Sequence, residues 1–432
     1  MLEKIEAIAS RIAAQRHLKA LRDGIILGMP LIIIGSVFLI LGNLPFTGYT
    51  EMLADAGIAS WLNKIVNGTF GIMALAAVFG IANSLATDYR VDGISAGIVA
   101  IAAFLIVTPD LLAEAGSGVP YAYLGSNGLF VAIVVGLTSA EIFRYCVQKN
   151  WTIKMPEGVP PAVSKSFAAI IPGLMAILIW SIIYKILELN GITDIHQLLT
   201  DTLGRPLSAV GSSLLGTLFM VALNSFFWFL GLHGANTTNP IIQPIWLQNT
   251  DANRLALQAG EELPNIITNE FMMNFVWIGG GGATIGLAIC LFLFTKSKQN
   301  KAMGTLAIAP SLFNINEPIL FGFPVVLNFK LLVPFVVAPM MTAVVTYFSM
   351  SSGLVAKPAG IVVPWTMPPI ISGYLATGGK ISGAVIQVIT LALTVALYYP
   401  FVRSIDKANL AIEKEEEAKA ILSEQNAAAE AN

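Results

Sequence analysis

The sequence predicts an all-α polytopic membrane protein, with about ten transmembrane helices and two re-entrant hairpins, on three observations. Hydrophobic residues make up 56% of the chain and charged residues only 12%, about half the usual charged share. Apolar stretches long enough to cross a bilayer, roughly 20 residues each, recur along most of its length. Between them lie segments that are apolar yet interrupted by proline, glycine and isolated polar groups.

The spans read in order near 24–44, 67–86, 93–113, 127–142, 167–187, 206–230, 271–295, 331–350 and 381–403. Ahead of them, residues 1–23 mix Glu3 and Glu6 with basic residues at helical spacing. No cleavage pattern follows, so this stretch reads as a cytoplasmic amphipathic segment and not as a signal peptide. The stretches 1–23, 87–92, 143–166, 296–301, Lys330 and 403–432 carry 18 of the 24 lysines and arginines. Positive charge gathers on the cytoplasmic side, so both termini are expected there.

Nine spans cannot leave both ends on one side. The parity fails at 231–270, which is too polar and too rich in proline and glycine for a simple lipid-facing helix. Broken backbone buried in protein is expected there, since only protein or a wet cavity satisfies such backbone at membrane depth. Two further segments, 306–328 with Pro310, Pro318 and Pro324, and 357–379 with Pro358, Pro364, Pro368 and Pro369, read as re-entrant hairpins. In "GGGGATIG" (279–286), Gly282 and Gly286 form a GxxxG pair that suits close helix packing. The polar stretch 143–166 divides a half at 24–166 from a half at 167–403. The tail 404–432 reads as a solvated cytoplasmic helix.

Several function classes are excluded by composition. A net charge of −2, with no basic stripe among aromatics, gives no sign of nucleic-acid binding. Cys146 and Cys290 lack partner spacing, and Cys290 in "AICLFLF" reads as a small packing residue. His17, His196 and His233 offer no paired metal-ligand spacing, so no metal and no cofactor is expected. "GYLATGGKIS" (373–382) imitates a phosphate loop. An extra glycine displaces Lys380, however, and Ile381 stands where a magnesium-holding hydroxyl belongs.

Ionisable residues inside apolar segments remain. Glu317 in "FNINEPILFGF" is the clearest, because a charge near the bilayer centre costs roughly 2.5–3.5 kcal/mol on insertion scales and so faces a cavity or a partner. Capping of a half-helix is its structural alternative. His233 follows the aromatic run of "FFWFLGLHGANTTNP" (226–240), lies between Gly231 and Gly234, and opens the polar run from Asn236 to Asn239. Packing is the bland reading for that ring. Trp228, Trp246, Trp277 and Trp365 fall in or beside the irregular segments; each could anchor at the membrane interface. Aromatic faces beside Asn, Thr, His and Glu also suit a neutral polyhydroxylated solute, whose C–H face packs on a ring while its hydroxyls are hydrogen-bonded.

"FLGLHGANTTNP", "FNINEPILFGFPVVLN" and "VPWTMPPIISGYLATGG", in this order, resemble the membrane subunit, enzyme IIC, of the sugar phosphotransferase system. The similarity is to its lactose, cellobiose and diacetylchitobiose branch and covers about residues 5 to 405. It implies import of a β-linked disaccharide coupled to phosphorylation. The phosphocysteine is then supplied by a partner, IIB, which IIA serves in turn. It further implies a homodimer whose N-terminal half makes the dimer contact and whose C-terminal half holds the site. Glu317 and His233 are the expected catalytic pair, with Glu317 the favoured base. Trp228, His233, Asn236, Asn316, Glu317 and Trp365 are the expected substrate contacts. No reactive cysteine in a glycine- and serine-rich loop is found, so IIB is expected on a separate chain. An ion-coupled sugar symporter is the rival reading, and a passive sugar channel a third.

Overall fold

The computed structural model describes residues 11, 14–44, 46–113, 116–323 and 325–430. Most of the N-terminal segment 1–13 and Pro324 of the first expected hairpin therefore lie outside the described residues. Helices dominate, with one small antiparallel hairpin of β1 (Leu111–Ala113) and β2 (Gly116–Gly118). The chain divides into two compact units. One comprises Met1–Gly216, Ala235–Asn269 and Pro358–Val362; the other comprises Thr217–Gly234, Glu270–Lys357 and Val363–Asn432.

The first unit contains α1 (Arg16–Gly42), α2 (Tyr49–Asp55), α3 (Ile58–Phe70), α4 (Met73–Asp88), α5 (Gly93–Val107), α6 (Tyr121–Leu124), α7 (Leu129–Gln148), α8 (Pro161–Ala168), α9 (Ile170–Leu189), α10 (Ile195–Leu199) and α11 (Arg205–Gly211). Helix α4 packs against α1, α5 and α7. A β-carbon at Gly24 would sit 2.4 Å from the Ile81 nitrogen, and one at Gly80 would sit 2.8 Å from the Gly24 carbonyl oxygen. These two glycines let the backbones of α1 and α4 touch, which is how helices associate where lipid removes the hydrophobic drive. On α9 the opposite holds: Ile170, Leu174, Leu178, Ile182 and Ile186 form an exposed stripe four residues apart, as suits hydrocarbon and not water.

Helix α12 (Leu214–Phe229) leads to α13 (Gly234–Ala259). The expected span 206–230 is therefore two helices, interrupted at Ser212 and Ser213. The expectation of broken backbone across 231–270 is corrected in its larger part. Helix α13 is continuous for 26 residues despite Pro240 and Pro244, because its polar face is buried against protein and not lipid. Thr237, Thr238, Asn239 and Gln243 are all buried. Irregular backbone is limited to 231–233 and 260–268, and amides of α13 satisfy the second stretch. Asn253 Nδ2 donates to the carbonyls of Asn265 (2.8 Å) and Pro358 (2.6 Å), and Asn249 Nδ2 to that of Ile267 (2.7 Å).

The second unit contains a π-helical turn, Phe271–Val276, then α14 (Ile285–Phe294), α15 (Lys298–Leu312), α16 (Glu317–Gly322), α17 (Phe329–Ser351), α18 (Ile371–Ala376) and α19 (Ile381–Glu430). The expected span 271–295 is thus a short turn, a glycine-rich bend and a ten-residue helix. Gly279, Gly280 and Gly282 have φ of 81°, 93° and 80°, conformations that only glycine adopts at no steric cost. The GxxxG reading is corrected accordingly, since Gly282 belongs to the bend. Gly286 alone packs from a helix, with its β-carbon position 2.6 Å from the Thr394 hydroxyl. Helix α14 rests on α15 and α19, around a core of Leu287, Leu291, Phe335 and Tyr398.

The tail is more than a solvated helix. Asp406 accepts hydrogen bonds from the Lys296 and Ser297 nitrogens (2.9 and 3.0 Å), and Glu413 accepts from the Lys298 and Gln299 nitrogens (both 3.0 Å). These carboxylates satisfy the open N–H groups at the start of α15.

Among the described residues six helical stretches are long and apolar enough to cross a bilayer, or seven if Ile195–Gly211 and Leu214–Phe229 are one span. The shortfall from about ten has a plain cause. Helices α5 and α14 have only 15 and 10 residues, below the roughly 20 that a lone span needs.

Candidate functional site

The glycine bend at 279–282 is the centre of the candidate site. Helix α12 delivers Trp228 in its last turn, and the chain then reverses through Gly231, at φ 80°. A β-carbon at Gly234 would lie 2.2 Å from the Asn224 carbonyl oxygen and 2.8 Å from Trp228 Cδ1. Only glycine permits this reversal, and it lays His233 against Trp228, with ring centroids 4.2 Å apart and planes tilted by 41°. Trp228 is buried while His233 is exposed. The indole thus backs a ring whose other side is accessible.

The pyrrole edge of Trp228 also meets the bend. A β-carbon at Gly281 would sit 2.6 Å from Trp228 Nε1, and one at Gly280 would sit 2.7 Å from Asn316 Cγ. Asn316 Nδ2 donates to the Gly281 carbonyl at 2.9 Å. Two residues earlier, Asn314 accepts from the Gly279 nitrogen at 2.6 Å and donates through Nδ2 to the Trp365 carbonyl. Asn314 does this from φ 60°, a left-handed conformation that asparagine tolerates better than most residues. A single asparagine therefore ties the bend to the segment bearing Trp365.

Glu317 is the first residue of α16, and Pro318 follows at a position where a missing N–H costs no helical bond. Glu317 is exposed, and Trp365 is 54% exposed. Trp246 and Trp277 differ: both are buried, and Trp246 Nε1 donates to the Gly211 carbonyl at 3.1 Å. Trp246 thus does structural work.

Five of the six expected contacts, Trp228, His233, Asn316, Glu317 and Trp365, fall in one unit and are connected through the glycine bend. Asn236 belongs to the other unit, in the first turn of α13. Three features went unread in the sequence. The bend was taken for helix packing because a run of small residues looks alike in both roles. Glu270, fully buried ahead of the π-helical turn, follows an asparagine in an apolar context just as Glu317 does. In the first unit Asp251 and Arg254 form a buried ion pair, Nε to Oδ1 at 2.6 Å, and Ser126 Oγ donates to Asp251 Oδ2 at 2.6 Å. Their spacing of three along a nearly uncharged helix was the available signal. The pair stands in the wall of a cavity of about 670 Å³, with Asn67 and Tyr121.

A carboxylate that can take a hydroxyl proton, an imidazole held by an indole and a half-open tryptophan face make up the site. With the long apolar helices, they define a polytopic membrane protein with an accessible polar site on interrupted helices. The family follows from sequence. Residues 22–339 match the model of the phosphotransferase system EIIC family, and the chain belongs to that family, in its lactose, cellobiose and diacetylchitobiose branch. It is 53% identical to the lichenan permease IIC component of Bacillus subtilis (strain 168), over 94% of this chain and 93% of that protein. It is 46% identical to the cellobiose-specific EIIC component of Geobacillus stearothermophilus, over 96% and 95%. The crystal structure of ChbC, the IIC component from the N,N'-diacetylchitobiose-specific phosphotransferase system, superposes with a TM-score of 0.89 at 44% identity. That superposition covers 94% of this chain and 98% of ChbC.

Proposed function

We propose that this chain is the permease component that imports a β-linked disaccharide, such as cellobiose or diacetylchitobiose, and presents it for phosphorylation by phosphorylated IIB. Of the named relatives, one is cellobiose-specific and one is the IIC component of an N,N'-diacetylchitobiose-specific system, which supports this sugar class. The observation that carries the reading is the anchoring of accessible Glu317, His233 and Trp365 to one glycine bend.

In this reading a sugar packs a C–H face on Trp365 and places a hydroxyl, on C6, between His233 and Glu317. Glu317 takes the hydroxyl proton as the oxygen attacks phosphorus. The phosphorus–sulfur bond to the IIB cysteine then breaks, and the thiolate leaves. Phosphoryl transfer depends mainly on positioning and charge stabilisation, and a general base adds about 10²–10⁴-fold. His233 orients the hydroxyl, and Asn316 holds the approach of Glu317. IIA recharges IIB. Both termini face the cytoplasm, the segments at 306–328 and 357–379 re-enter the membrane, and the chain pairs as a homodimer through its N-terminal half.

Membrane vesicles supplied with phosphorylated IIB and labelled β-linked disaccharides test the reading. Sugar phosphate is expected inside. Accumulation of free sugar driven by a proton gradient, with no sugar phosphate, would instead establish a symporter.

A further inference from the structure

A groove of about 550 Å³ lies in the second unit, where α15, the loop after α16 and α19 come together. Its wall includes Gln299, Met303, Phe323, Leu327, Lys330 and Asn409. The charge distribution of the sequence puts 296–301, Lys330 and 403–432 on the cytoplasmic side, and the groove draws on all three.

Its chemistry is one-sided. No carboxylate lines it, and three on the adjoining stretch of α19 are engaged. Asp406 and Glu413 accept the backbone N–H groups that open α15, and Glu417 pairs with Lys298 at 2.7 Å. Lys301, Lys330 and Lys407 are exposed. Lys330 lines the groove, Lys301 directly follows its lining residue Asn300 and Lys407 directly precedes Ala408, so the charge around it is cationic. Apolar side chains stand within it, with Leu327 48% and Phe329 62% exposed.

The groove also backs onto the candidate site. Gly322 and Phe323, in its wall, end α16, the helix that Glu317 begins. Six helical residues span about 9 Å. Gly322 keeps α16 close against α15, since a β-carbon there would meet Met303 Cε at 2.7 Å. Leu327 donates its N–H to the carbonyl of Phe229, the neighbour of Trp228, at 2.9 Å. One wall of the groove is thus bonded to each half of the site.

We propose that this groove is the docking surface for the phosphoryl-bearing IIB partner, an inference that rests on the coupling to IIB proposed above. Leu327 and Phe329 are the apolar anchors, and Lys301, Lys330 and Lys407 receive the anionic face that surrounds the phosphoryl group. Apolar anchors inside a charged rim are the ordinary anatomy of a transient interface, and opposite charges mainly accelerate encounter.

The test uses the full chain in lipid nanodiscs with a purified, phosphorylated IIB. Lys330→Glu and Leu327→Ser are each expected to weaken IIB association about tenfold or more. Sugar affinity should be unchanged, as should the rate at saturating IIB. A photo-cross-linker on Gln299→Cys is expected to capture IIB, and excess unlabelled phospho-IIB to suppress that adduct. If Lys330→Glu no longer binds sugar, Lys407→Glu, beside the lining residue Ala408, carries the same test. Unchanged IIB dependence in all three variants overturns the proposal. So does cross-linking only to lipid or to a second copy of the chain. A different result bears on the coupling itself: the unaltered chain would bind sugar and IIB yet form no sugar phosphate.

Discussion

Asn316 donates its side-chain N–H to the carbonyl of Gly281 at 2.9 Å, and this bond fixes the approach of the next residue, Glu317. Gly281 lies against the indole of Trp228, and the His233 ring packs against the same indole. The carboxylate and the imidazole, 84 residues apart in sequence, therefore share one rigid intermediary. Each substitution in this assembly has a separable consequence.

Glu317→Gln keeps the shape and the hydrogen-bonding capacity of the side chain but removes its basicity. Disaccharide binding by calorimetry should persist, while sugar-phosphate formation falls by about 10²–10⁴-fold. Unimpaired phosphorylation by this variant removes Glu317 as the base.

His233→Ala removes an exposed ring and uncovers one face of Trp228. Sugar affinity should drop by about tenfold, near 1.4 kcal/mol, because a hydrogen bond to the hydroxyl is lost. An unchanged dissociation constant would return His233 to a packing role against the indole.

Gly281→Ala places a methyl 2.6 Å from Trp228 Nε1, so the indole must shift. Its backbone is outside the left-handed region, unlike that of Gly280 at φ 93°. Overpacking of this kind costs about 1–3 kcal/mol. The expected result is a folded protein with altered tryptophan emission, weakened sugar binding and a modestly lower unfolding temperature, whereas Gly280→Ala, which adds backbone strain, should lower that temperature further. Wild-type affinity in Gly281→Ala would show that the position of Trp228 is immaterial to the ligand.

Much of this was legible because membrane insertion penalises charge so heavily. Glu317 and His233 stood out against a 12% charged background, and proline placed them near interruptions. The positions of those interruptions were less legible. Pro240 and Pro244 read as helix breakers, yet α13 runs through both, since its polar face is sheltered by Asn269 and Gly211 and not exposed to lipid. Gly282 reads as the partner of Gly286 in a packing pair, with a hinge as the alternative, because sequence gives composition but not φ. Asn236 sits three residues from His233, and local proximity alone did not put it in the same unit. The carboxylates of the tail read as solvated because their partners, the N–H groups of residues 296–299, are more than a hundred residues distant.

The buried pair of Asp251 and Arg254 makes the last prediction, one about stability. The side chains are 6% and 3% exposed. Arg254 also donates to Gln258 Oε1 at 2.5 Å and lies 4.9 Å from the centre of the Phe70 ring. Removing one member of such a pair leaves a charge without its counterion in a poorly solvated place, at a cost of about 3–5 kcal/mol. Asp251→Ala should therefore lower the unfolding temperature in detergent sharply. Ser126→Ala, which deletes only a hydrogen bond to the same carboxylate, should cost about 1–3 kcal/mol. The exposed pair of Lys185 and Glu188 supplies the contrast, with side chains 63% and 40% accessible, and Glu188→Gln should leave the transition where it is. If Asp251→Ala melts with the unaltered protein, water reaches Arg254 through the adjoining cavity and the pair contributes little to stability.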